Sequence, residues 1–353
     1  MSEDTAGLDL ARSLYREVIA PQLDLPHAAC LIGEGSEVLS FDDARSRDHE
    51  WGPRLQLFVE ASAVRGLRDR LRRALPAEHR GFPTRWFSLA SGAIDDHLEV
   101  DTLAGWLAAR LPTITTTVPD SARWLATPQQ HLLQLTQGEV FHDDTAELTA
   151  LRQAHAWYPA DVERWIIAAQ WELLSSVDPL ISRAREAGDL RGGQLLTVRA
   201  VQLVMEMAFL QERRYRPYGK WFGSAFARLD AADELGPMLD AALDPHDPGA
   251  SRAALDRALL AIGRAHDALG ICARVTPRIT EFAVGIADAV RPHPVINSGE
   301  YIEATVAAIE DSALRDLPRI GTIDQLTHAE DLLINFTDGP ATMERELRRR
   351  LGA

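Results

Sequence analysis

Apolar residues recur at helical spacing near the start of the chain, where Leu8, Ala11, Leu14, Val18 and Ile19 share one face over residues 8–22. An unbroken apolar run, Ala28 to Ile32, then stops at Gly33, which predicts a buried strand. Arg54 to Val59 predicts a second strand that continues from a segment carrying Asp48 and Glu50. Pro53 lacks a ladder donor, so an edge position, a bulge or a kink is expected at Gly52-Pro53. Residues 60–75 read as a helix, His97 to Leu103 as a strand, and 103–111 as a further helix. Gly138 to Phe141, followed by Asp143, reads as a short closing strand, with Asp144 or Thr145 capping the next helix. Beyond residue 146 the pattern turns helical, with long apolar periodicities over 160–187, 192–215 and 250–271 and a break at Asp244 to Ala250. The expected fold class is α+β: a small mixed-sheet domain over 1–146, then an all-helical domain over 147–353.

The turn after the first strand carries the candidate chemistry. Gly35 lets the backbone approach a phosphate closely, and Ser36 adds a hydroxyl and an N–H donor. On a strand, Asp48 and Glu50 fall on the same face, about 6–7 Å apart. Two such carboxylates suit a hard divalent cation, Mg2+ or Mn2+. Together these parts predict a site for a metal-bound nucleoside triphosphate (NTP).

Gly35-Ser36, a spacer, then Asp48-His49-Glu50 resembles the signature of the nucleotidyltransferase superfamily, which includes polymerase-beta-like and aminoglycoside-modifying enzymes. The flanking run Gly33 to Asp43 with Ser46 to Gly52 resembles a narrower bacterial family that joins such a domain to a helical C-terminal domain of unassigned function. The resemblance implies an enzyme that transfers a nucleoside monophosphate, AMP foremost, to a hydroxyl of a small molecule and releases pyrophosphate. It also implies a third carboxylate from a neighbouring strand. Glu99, in the setting Leu98-Glu99-Val100, is the first candidate and Asp101 the alternative; Asp95 and Asp96 read as loop acids. It further implies a lysine of the helical domain at the triphosphate, for which Lys220, beyond Pro217, matches by context. His49 departs from the aliphatic residue usual between the two acids. The alternative is a nucleotide-binding regulatory or partner protein that has kept the fold without turnover.

Composition narrows the partners. The chain has 353 residues and a formal net charge of −15. That charge disfavours a nucleic-acid backbone and leaves a small acceptor as the expected partner. Arg65, Arg68, Arg70, Arg72 and Arg73 crowd the helix at 60–75 and read as a solvated basic face, with phosphate binding as the lesser reading. Cys30 and Cys272 have neither disulfide nor metal spacing. No leader and no bilayer-spanning run is read, so a cytoplasmic location is expected. Tyr215, Tyr218 and Trp221 read as helix packing before base stacking, and the His266-Asp267 pair is too slight a match to a hydrolase metal dyad.

Overall fold

The computed structural model describes residues 6–352 apart from 44–45, 48–49, 90 and 283–292. The protein mixes helix and strand and is of the α+β class. Its contacts divide it into two compact units, residues 1–119 with 129–156 and residues 120–128 with 157–353. Residues 120–128 therefore belong to the second unit, and 147–156 to the first, which shifts the boundary expected at 146.

The first unit opens with helix α1, Gly7–Leu14, which runs on through a wider turn over Tyr15–Ile19. Strands β1, Ala28–Leu31, and β2, Leu55–Phe58, are buried at every position. Helix α2, Val64–Ala74, follows. After a short antiparallel pair, Glu78–His79 with Phe82–Pro83, comes a hairpin, β3 (Arg85–Ser88) against β4 (Ala93–Asp96). Strand β5, Leu98–Asp101, leads into helix α3, Leu103–Arg110, capped by the Thr102 hydroxyl on the Gly105 N–H. Strand β6 is Glu139–Asp143.

The main sheet has the order β5-β2-β1-β6. β2 runs parallel to β5, with Leu55 opposite Leu98 and Phe58 opposite Asp101. β1 is antiparallel to both β2 and β6, pairing Ala28 with Phe58 and with Asp143. Alternation sends Ala29, Leu55, Leu57, Leu98 and Val100 to one face, where they pack with Leu14, Ile19, Leu67 and Leu71 as the core. Gln56 and Glu99 go to the other face, and Trp106 of α3 meets Phe58 there at 5.6 Å between ring centres.

The helix after β6 begins at Glu147, behind Ala146 in a left-handed conformation. Neither Asp144 nor Thr145 caps it; the Asp143 carboxylate accepts from the Thr149 N–H at 2.8 Å. The second unit contains long helices at Ala160–Glu186, Leu190–Gln211 and Pro248–Leu269. It is not all-helical, because Ile279–Phe282 pairs antiparallel with His293–Ile296. Leu190–Gln211 reaches the length and hydropathy of a bilayer-spanning segment, contrary to the sequence reading, and 61% of its most apolar window is buried within the protein.

Candidate functional site

β1 ends where its backbone must turn sharply. The Ile32 N–H donates to the Gln56 side-chain oxygen at 3.0 Å, and the Gly33 N–H to the Gln134 carbonyl at 2.8 Å. Gly35 has φ +130, and a Cβ there would strike the Arg54 guanidinium and the Glu37 carboxylate. Glycine is the residue that this combination of torsion and crowding permits. Glu37 is 2% exposed, and its Oε1 accepts from Arg54 Nε at 2.8 Å and Nη2 at 2.6 Å. Arg54 also donates to the Glu34 carbonyl, so a buried ion pair clamps the turn.

This turn borders a cavity of about 640 Å³ at the end of the sheet where β1 finishes and β2 and β5 begin. Gly33, Gly35, Glu50 and Glu99 all line it. Ser36 does not; its carbonyl instead accepts from the Phe41 N–H at 2.8 Å. Asp48 lies outside the described residues.

Glu50 is not on a strand, which corrects the sequence reading. It has φ 48, and β2 starts only at Leu55, after Gly52 at φ 153 and Pro53. The kink expected at Gly52-Pro53 thus delays the strand past Glu50. The Glu50 carboxylate points at the hairpin, accepting from Leu89 N–H at 2.6 Å and Ser88 Oγ at 3.1 Å. His97 Nδ1 lies 3.8 Å from it, with the ring stacked on Trp86 at 3.7 Å. Burial holds His97 below the usual histidine range.

Glu99 sits on β5 as expected. Its Oε2 accepts from Trp106 Nε1 at 2.6 Å and Gln56 Nε2 at 3.3 Å, while Oε1 pairs with Arg110. Burial alone would raise its pKa, but the Arg110 charge and the three hydrogen-bond donors outweigh it and hold the group below the usual carboxylate range. Asp101 shares that strand face but falls at the other end of β5, off the cavity wall, where Oδ1 accepts from the Thr102 N–H at 2.7 Å.

Two arginines of the solvated face also reach the cavity. Arg68 donates to the Val100 carbonyl at 2.7 Å, and Arg72 pairs with Asp95 at 3.0 Å and Asp96 at 2.9 Å. Asp95 and Asp96 are therefore strand residues of β4, not loop acids. With Arg54 and Arg110, four guanidinium groups line the cavity. Lys220 lies in the second unit on the helix Gly219–Phe226, exposed, with Nζ 4.9 Å above the Trp221 ring. Tyr215 is 5% exposed and packs on Trp157 and Tyr158, so its role is packing.

The sequence reading passed over Glu37, Arg54, Gln56, Trp106 and Arg110. The signal for Gln56 was a polar residue inside an apolar strand, which a buried strand keeps only when hydrogen-bonded. Comparison with known proteins finds no curated protein and no solved structure that matches the chain. Residues 124–222, less than a third of the chain, are similar to a family described as a domain of unknown function (DUF4037).

Proposed function

We propose that the first unit binds a metal-complexed NTP in the cavity beside Gly35, and that the protein transfers its nucleoside monophosphate, AMP foremost, to a hydroxyl of a small molecule. The supporting observation is convergence: the Gly33–Gly35 turn, Glu50 and Glu99, distant in sequence, line one cavity with four arginines. The same wall carries Glu34, Asp95 and Asp96, so a triphosphate depends on the bound cation as well as on the arginines, whose guanidinium groups suit phosphate oxygens. In this reading the guanidinium groups of Arg68, Arg72 and Arg110 face the phosphates. The Gly35 backbone N–H approaches them where no Cβ intervenes.

The donor set of this reading, Asp48 with Glu50, is carboxylate oxygen, which suits a hard cation. Asp48 and Glu50 are assigned to hold it. The ion would neutralise charge on the phosphates when bound. Glu99 already accepts from Trp106, Gln56 and Arg110, so its assigned task is to position Arg110. The chain's charge of −15 favours a compact acceptor over a polyanion.

The engagement of both Glu50 and Glu99 by neighbouring donors favours a second reading, a nucleotide-binding protein without turnover. Incubation with α-labelled NTP, Mg2+ and a small-metabolite extract separates the two. Pyrophosphate release with label transfer, lost in Asp48→Ala, supports the enzyme. NTP binding without release supports the regulatory reading, and label transfer to RNA contradicts the small acceptor.

A further inference from the structure

At the opposite end of the same sheet, two histidines and a carboxylate converge. The antiparallel ladder places His142 opposite Ala29, and the Asp144 N–H donates to the His27 carbonyl at 3.1 Å. His27 and Asp144 therefore face each other, and His142 is the diagonal neighbour of His27. The two imidazoles stack with ring centres 4.4 Å apart. Asp144 Oδ1 lies 2.9 Å from His142 Nε2, and Oδ2 lies 3.5 Å from His27 Nδ1. One ligand atom from each residue falls within 4.8 Å of the others, and among the described residues no other such group of three occurs.

We propose that His27, His142 and Asp144 form a binding site for a divalent transition-metal ion of the zinc class. Two imidazole nitrogens with one carboxylate oxygen is a donor set for zinc, cobalt, nickel or ferrous iron, whereas Mg2+ prefers oxygen alone. The carboxylate is available. Glu37 and Glu99 are each paired with an arginine, but among the described residues Asp144 is paired only with these two imidazoles. The site is also supported from behind. Tyr15 Oη lies 3.0 Å from His27 Nε2, and the His27 N–H donates to Asp144 Oδ2 at 2.9 Å. A metal at His27 Nδ1 would replace the bond from that nitrogen to the Leu25 carbonyl and leave Nε2–H to donate to Tyr15, the outer partner that orients a ligating imidazole.

Three protein ligands leave a position open for water or an exogenous anion. His27 and the neighbouring Asp143 and Thr145 line a second cavity of about 660 Å³, distinct from the one beside Gly35.

The test uses the full-length, tag-free apoprotein, titrated with Co2+ in excess Mg2+. The Mg2+ fills all-oxygen sites and does not compete for imidazole. The expected result is one Co2+ per chain with visible d–d absorption, displaced by one equivalent of Zn2+. His142→Ala and Asp144→Asn should each weaken it by more than about a hundredfold, beyond the loss of an outer partner. X-ray absorption of the zinc-loaded parent protein, which needs no variant, should show two imidazole nitrogens with oxygen ligands. Absence of d–d absorption, ligation without imidazole, or unchanged Co2+ affinity in both folded variants would overturn the proposal.

Discussion

Replacing Arg54 by methionine tests the clamp that shapes the Gly33–Gly35 turn. Arg54 donates twice to Glu37 Oε1, at 2.8 and 2.6 Å, and the Glu37 side chain is 2% exposed. Without the guanidinium, a carboxylate with almost no solvent contact loses its counter-charge. Breaking such a pair from one side costs about 3–5 kcal/mol, because the remaining charge stays desolvated. An exposed pair would cost only about 0–1 kcal/mol. The double variant Glu37→Gln with Arg54→Met removes the stranded charge and should recover most of the loss. Urea unfolding of the full chain, followed by tryptophan fluorescence, gives the differences. Hydrogen exchange over residues 28–41 assigns them to the first unit. A single-variant loss below about 1 kcal/mol, or a double variant no more stable than the single, would refute the reasoning.

Two further outcomes follow from buried groups and backbone torsions. His266 is 1% exposed and accepts from Trp171 Nε1 at 3.1 Å; burial pushes its pKa down to about 4 from 6.5. Below pH 6.5 the unfolded chain takes up this proton first, so stability falls as pH drops towards 4, by up to about 1.4 kcal/mol per pH unit. His266→Gln should flatten that slope in unfolding measured from pH 7 to about 4, and an unchanged slope would remove His266 from the account. Gly138 has φ +73, and a Cβ there would overlap the Leu31 carbonyl oxygen at the end of β1. Gly138→Ala should cost about 1–3 kcal/mol in urea unfolding, and a loss under about 0.5 kcal/mol would show that the turn relaxes freely.

The first strand and its glycine turn were legible because an apolar run with an abrupt glycine stop has few other solutions. Glu99 was legible for the same reason, as an acid between two buried residues of a strand. Glu50 was misplaced because alternation was extended through Gly52 and Pro53, whereas Gly52 turns at φ 153 and the strand begins only at Leu55. The partners of Arg68 and Arg72 were not legible because helical periodicity shows which face is apolar, and not what the polar face meets. Here that face meets the edge of β5 and the hairpin, so the arginines gain partners while keeping contact with water. His27 with His142 and Asp144 left no local signal. Their proximity comes from the β1–β6 register, which pairs segments far apart in the chain.

The central claim is that Asp48 and Glu50 hold a metal-bound NTP beside the Gly35 turn. Calorimetric titration of the full chain with ATP and the other NTPs, in Mg2+ and again in EDTA, tests it most directly. The account predicts saturable binding of at least one NTP that requires the metal and is lost in both Asp48→Ala and Glu50→Ala while the fold is retained. NTP binding that persists in EDTA and in both variants, or no binding of any NTP in Mg2+, would contradict it.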